Sequence, residues 1–218
     1  MGAEPDAHPD IREAVAHLKR ERIVAAAIDL FYREGYARTT LEQVADAIQV
    51  TKPFIYQHFR SKTELLAEIC SRGIHRSHDA MNRAMALDGT PTERLRVVVR
   101  DFMLAVLNNQ ASAVIYSREE KELLPQDRES LNGMRRDFDH KLVALIQDGV
   151  TAAEFEVEDV SLAALAIAGI VGWSQVWFRN NGRLSREQAS ERVASLVLSM
   201  VRATVRTQPV PRKRAAAK

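Results

Sequence analysis

A single cysteine, Cys70, stands in the whole 218-residue chain, which excludes an intrachain disulfide framework and a thiolate-rich metal site and fits a reducing cytosol. It falls among Leu65, Leu66 and Ile69, the setting of a small buried hydrophobe rather than of a reactive thiol. Charge of one sign is also lacking: the formal net charge is +2, too little to imply a nucleic-acid or membrane partner unless it is unevenly distributed. The opening MGAEPDAHPD has no apolar stretch of the secretory kind, so a cytoplasmic protein is expected. Absent too are a glycine-rich phosphate loop, a G-x-S-x-G elbow, an H-E-x-x-H pair and a cysteine nucleophile beside a base. The chain therefore does not read as an enzyme, and no cofactor is implied. His75 and His78, beside Asp79, have a spacing that could hold a transition metal but read as solvated side chains, so no metal site is expected.

What is present is helical periodicity. Hydrophobic residues make up 46% and charged residues 28% of the chain, an ordinary globular balance at a length that buries a proper core. Period-2 alternation is missing, and the fold class expected is all-α with about nine helices. A first helix is predicted over 11–34, with Leu18, Ile23, Ala26, Ala27, Leu30 and Phe31 inward and Gly35 as its terminator. Thr40-x-x-Gln43 and Ser61-x-x-Glu64 are capping boxes that open two further helices, the second running to about residue 85. A stub at about 52–58 lies between them. Later helices are predicted at about 92–109, 126–149, 159–179 and 185–206, with a shorter segment before Pro125. The tail PVPRKRAAAK reads as disordered, its basic residues as a solvated tail. The uncharged run 161–178 reaches the lower edge of membrane-spanning length, about 20 residues. Its serines, glutamine, alanines and glycines make it instead a buried or interface helix, and no membrane partner is expected.

The stub TKPFIYQHF carries the chemistry. Ile55 and Phe59, four residues apart, satisfy a core, which leaves Lys52, Pro53, Phe54, Tyr56, Gln57 and His58 facing outward or sideways. Preceded by a capped helix and a four-residue turn, it forms a helix-turn-helix whose second helix reads the DNA major groove. Rings can contact thymine methyls, and hydroxyl, amide and imidazole groups can meet phosphates or base edges. Lys62 adds a mobile cation beside three helix starts at Thr40, Thr51 and Ser61.

The stretch TTLEQVADAIQVTKPFIYQHFRSKTELL resembles the DNA-binding domain of the tetracycline-repressor (TetR) family over about residues 12–66. Gln49 departs from the glycine usual in the turn, and modest strain is expected there. The resemblance implies phosphate contacts from Thr40, Tyr56, His58 and Lys62, and base-edge contacts from Thr51, Lys52, Pro53 and Phe54, with Arg38 and Gln57 as further DNA-binding candidates. It also implies a homodimer on a palindromic double-stranded DNA operator and a C-terminal domain that binds a hydrophobic small molecule. The domain limits expected are a disordered 1–10, a DNA-binding domain 11–66, a ligand and dimerisation domain 67–207, and a basic tail 208–218.

For dimerisation, the last helix carries Val193, Leu196, Val197, Met200, Val201 and Thr204, while Ala164, Ala168 and Gly172 suit close helix approach. Pocket candidates are Phe102, Met103, Val106, Tyr116, Phe138, Trp173 and Trp177, with Met103 and Trp173 preferred. The pattern from YSREEKELLP to NNGRLS resembles a subgroup whose members often sense acyl-CoA thioesters. Arg118 and Lys121 could meet coenzyme A phosphates, although their acidic neighbours also suit a solvated face. The alternatives to a ligand-responsive repressor are a DNA-binding protein without effector control and an enzyme using the helical pocket.

Overall fold

The computed structural model describes residues 9–202, all of whose regular elements are helical. The helices are α1 (Pro9–Glu34), α2 (Leu41–Ala47), α3 (Lys52–Tyr56), α4 (Lys62–Met85), α5 (Pro91–Asn108), α6 (Gln110–Glu119), α7 (Pro125–Thr151), α8 (Val160–Gly172), α9 (Ser174–Trp177) and α10 (Arg186–Arg202), with a 3-10 turn at Glu120–Glu122. The segment expected as one helix at 159–179 breaks at Trp173, giving ten α-helices among the described residues. Of the tails expected at 1–10 and 208–218, residues 1–8 and 208–218 lie outside the described residues, as does Thr204, whereas Pro9 and Asp10 open α1.

Local chemistry sets most boundaries. Gly35 ends α1 with φ +90, and its N–H donates to the Phe31 carbonyl at 3.1 Å. Thr40 and Gln43 form the full reciprocal capping box of α2, and Thr90 with Glu93 forms another at α5. Ser61 caps α4 by accepting from the Glu64 N–H at 3.0 Å, but the Glu64 carboxylate turns to the Arg60 N–H at 2.7 Å. That box is therefore only half formed.

Two cores result. The first packs Ile23, Val24, Ala27 and Phe31 of α1 against Leu41 and Val44 of α2, Ile55 and Phe59, and Leu65, Leu66 and Ile69 of α4. Leu18, expected inward, is 67% exposed, because the N-terminal half of α1 extends past this core. The second core joins α4, α5, α7, α8 and α10 through Leu95, Val98, Met103, Leu107, Leu142, Ile146, Ile167, Val171 and Val197. Ile115 of α6 and Leu131 of α7 belong to the first core although they lie far beyond it in sequence. The helix α4 contributes to both, Leu65–Cys70 to the first and Met81 and Ala84 to the second.

Candidate nucleic-acid interface and helical cavity

Within the helix-turn-helix, α2 lies on α1 through Leu41, Val44 and Ala45, and the turn that follows brings α3 back across it. Gln49 makes that turn with φ 57, the left-handed conformation where a Cβ is strained. Replacing Gln49 with glycine is expected to raise stability by about 0.5–1 kcal/mol, read as a higher urea midpoint at unchanged slope; a lower midpoint would show that the Gln49 side chain holds the turn.

α3 buries only Ile55, and Phe59 follows it into the core, both at 0% exposure. Thr51, Lys52, Pro53, Tyr56 and Gln57 are exposed, and Thr51 makes no side-chain capping bond, so its hydroxyl is not committed to the helix start. Phe54, expected outward or sideways, takes the sideways position. It is half-buried against the first core, edge-on to His58 at 5.2 Å between ring centroids, with the Lys19 ammonium 5.7 Å over its ring. Burial, and then Lys19 and Arg20, hold the His58 imidazole below its ordinary pKa.

Two lysines behave differently from expectation. Lys62 is not a free cation: its ammonium donates to the Tyr36 carbonyl at 2.9 Å and the Thr39 carbonyl at 3.0 Å, and lies 4.2 Å over the Tyr36 ring. It ties the start of α4 to the end of α1 rather than reaching outward. Lys52 is exposed but paired with Glu42 of α2, and that bond raises the lysine pKa and lowers the glutamate's. Thr40 is held in its capping box, and Arg38 donates to the Glu34 carbonyl at 2.7 Å while exposed to solvent.

Arg20 and Arg72 were not singled out by the sequence. Arg20 donates to the His58 carbonyl at 2.7 Å and to Glu68 at 3.1 Å, with its guanidinium 4.1 Å over the Phe59 ring. Arg72 grips Glu21 with two bonds, 2.8 and 2.6 Å, and reaches Glu68 at 3.1 Å. The network ties α1, the end of α3 and α4 into one body. The Glu68–Arg72 pair has the i,i+4 spacing of a local helix pair, whereas the bonds of Arg20 to His58 and Glu68 and of Arg72 to Glu21 span 38 to 51 residues of sequence and carry no local signal.

The second feature is a cavity of about 670 Å³ among α4, α5, α6, α7 and α8. Phe102, Val106, Tyr116, Phe138 and Trp173 all border it. Met103 does not, because it points into the second core at 0% exposure. Trp177 lies outside the lining too, half-exposed on α9 and edge-on to Phe178 at 6.4 Å. Sequence reasoning missed Ile74, Ser77 and His78 of α4, Asn109, and Met134 and Arg135 of α7. His78 is no isolated surface histidine: it pairs with Asp137 at 2.7 Å and Asn82 at 3.1 Å. Arg135 donates to the Tyr116 hydroxyl at 3.1 Å. Arg118 and Lys121 are exposed and are not part of the lining. Ala164, expected with Ala168 and Gly172 at a helix contact, is buried in the second core, whereas the other two face the cavity.

A family model described as "Tetracyclin repressor-like, C-terminal domain" matches residues 88–201, and one described as "Bacterial regulatory proteins, tetR family" matches residues 23–69. The HTH-type transcriptional repressor KstR2 of Mycolicibacterium smegmatis is 25% identical over 182 residues, covering 83% of this chain and 89% of that protein. Among solved structures, a bacterial regulatory protein in the tetR family from Rhodococcus RHA1 superposes with a TM-score of 0.75 at 29% identity, over 84% of this chain and 97% of that one. AibR in complex with isovaleryl coenzyme A and operator DNA shares the fold, with a TM-score of 0.70 at 24% identity over 84% of this chain and 97% of its own.

Proposed function

Since the chain belongs to the tetracycline-repressor (TetR) family of bacterial regulatory proteins, we propose that it is a homodimeric repressor that a hydrophobic small molecule releases from a palindromic DNA operator. The observation that carries this reading is the continuity of α4. Its first two turns sit in the core under the reading helix, and the turns that follow, through Gly73, Ile74, Ser77 and His78, wall the cavity. A ligand that displaces the wall moves the reading head as one body, because Arg20, Glu21, Glu68 and Arg72 lock α1 and α3 to α4. Helix α6 adds a second link, with Tyr116 at the cavity and Ile115 in the DNA-binding core.

On the DNA side, the proposed readers are Thr51, Lys52, Pro53, Tyr56 and Gln57, all exposed, with Thr40, Arg38 and His58 as backbone contacts. Two reading heads in a two-fold dimer would enter successive major grooves about 34 Å apart. Ligand releases DNA only to the extent that it binds the spread arrangement more tightly; complete release needs roughly 10⁴-fold preference. An acyl-CoA thioester is the effector class favoured here. Its acyl group would lie against Ile74, Phe102 and Phe138, leaving the phosphates near the exposed Arg135.

The test is fluorescence anisotropy on an operator enriched from random DNA, titrated with acyl-CoAs of increasing chain length beside the free acids and coenzyme A. At least one acyl-CoA is expected to weaken DNA binding tenfold or more, with coenzyme A alone inert. Failure of every acyl-CoA removes that effector class.

A further inference from the structure

Most polar side chains that border the cavity are already committed. Ser77 donates to the Gly73 carbonyl at 2.8 Å and Asn109 to the Ala105 carbonyl at 2.7 Å. The two ring nitrogens of His78 meet Asp137 and Asn82, and the Tyr116 hydroxyl accepts from Arg135. Ser117, Glu120, Arg135 and Asp139, on the α6 and α7 side, are exposed to solvent. Gln175 of α9 stands apart. It borders the cavity and is half-buried, yet its carboxamide oxygen, Oε1, is buried with no hydrogen-bond partner among the described residues. Two other buried side-chain atoms of the described residues share that condition, Arg72 Nε and Ser174 Oγ. Neither of those residues lines the cavity.

An amide oxygen withdrawn from water and left without a donor is destabilising, and folded proteins hold few of them. The backbone at Gln175 is fixed: Gln110, the first residue of α6, donates to the Gln175 carbonyl at 2.6 Å and to the Phe178 carbonyl at 3.2 Å. The side chain is freer, since no hydrogen bond holds Oε1 and the terminal torsion of a glutamine is broad. Turning the carboxamide toward the cavity breaks no bond of that oxygen and lets it meet a donor inside. The donor that fits is uncharged, because α8 and α9 carry no carboxylate to pair a buried cation. Glu120 lies ten residues beyond Gln110 at the far end of α6, about 15 Å along the helix. We propose that Gln175 accepts a hydrogen bond from a hydroxyl on the apolar part of the effector, so that the cavity selects hydroxylated ligands over their hydrocarbon counterparts. An apolar ligand that covers Oε1 seals it away from every donor, whereas a hydroxyl satisfies it. This rests on the cavity as the effector site and narrows the acyl group proposed above to a hydroxylated one.

The test is equilibrium dialysis of the full chain against 2-naphthol, 2-methylnaphthalene and 2-methoxynaphthalene, matched in shape and small enough to orient themselves in about 670 Å³. They carry a donor, no polar group and an acceptor alone, respectively. None contains coenzyme A, so the outcome does not depend on that effector class. Gln175→Leu removes the carboxamide, and Gln175→Met takes its place if the first variant loses its helical circular dichroism. The affinity of 2-naphthol relative to 2-methylnaphthalene is expected to fall at least tenfold in the variant, with 2-methylnaphthalene binding retained. An unchanged ratio overturns the hydrogen bond and leaves the cavity standing as an effector site. An equal loss for 2-methoxynaphthalene shows the carboxamide donating rather than accepting, and overturns the choice of a hydroxyl. Binding of none of the three by the unmodified chain overturns both the hydroxyl contact and the cavity as an effector site.

Discussion

Operator affinity falls at least 100-fold when Lys52 and Tyr56 are both replaced by alanine, while the unfolding midpoint scarcely moves. The two halves of this expectation have separate causes. Both side chains stand on α3, a five-residue helix whose only buried member is Ile55. Tyr56 is 46% exposed, and Lys52 makes an exposed pair with Glu42 and lies 5.8 Å over the Tyr56 ring. Removing such surface groups changes stability by about 0.5 kcal/mol or less. In the proposed complex each makes a directed contact with DNA, and a tenfold loss apiece corresponds to about 1.4 kcal/mol. Lys52→Ala alone should also reduce the slope of log affinity against log salt by about one, the signature of a lost phosphate contact. Tyr56→Phe separates the hydroxyl from the ring. Ile55→Ala is the contrasting control, since truncating this fully buried side chain costs about 2–5 kcal/mol and lowers stability and binding together. Unchanged operator binding by the Lys52 and Tyr56 variants would remove α3 from the interface.

The contrast between those variants shows which parts of the site were legible in the sequence. Periodicity assigns Ile55 and Phe59 to the core because the requirement is local, one face of one short helix. The all-helical class, the turn at Gly35 and the reciprocal cap at Thr40 follow from equally local rules, and Gln49 takes the strained backbone that its departure from glycine implies. What depends on distant chain segments was not legible. Lys62 looked like a free cation because the carbonyls that hold it, those of Tyr36 and Thr39, come from another element. The Arg20–Glu68 and Arg72–Glu21 pairs were invisible for the same reason. Met103 and Phe102 are adjacent, equally apolar residues of α5, yet one fills the second core and the other borders the cavity. Only the placement of α7 and α8 around α5 decides between them. The break at Trp173 carried no proline signal either.

The exposed apolar side chains of α8 and α10 support the other large effect. A chain carrying Leu162→Glu and Leu196→Glu is expected to sediment as a 24.5 kDa monomer and to bind a palindromic operator about 10²–10⁴-fold more weakly than the unmodified protein. The two positions are 63 and 55% exposed on α8 and α10, so glutamate there leaves both cores intact. About a two-fold axis, however, each new carboxylate is brought against the apolar partner stripe and toward its own symmetry mate, where desolvation and like charge both oppose association. The loss on DNA follows without any change at α3. Once one reading head is bound, the dimer presents the second at an effective concentration on the order of millimolar, and the monomer must supply it from solution. A discriminating readout is a half-site duplex. The monomeric variant should bind half-site and palindrome alike, whereas the unmodified chain prefers the palindrome strongly. Retained dimer sedimentation would show that α8 and α10 are not the interface. Monomers that still prefer the palindrome by a hundredfold would show that the two heads meet on DNA through contacts elsewhere.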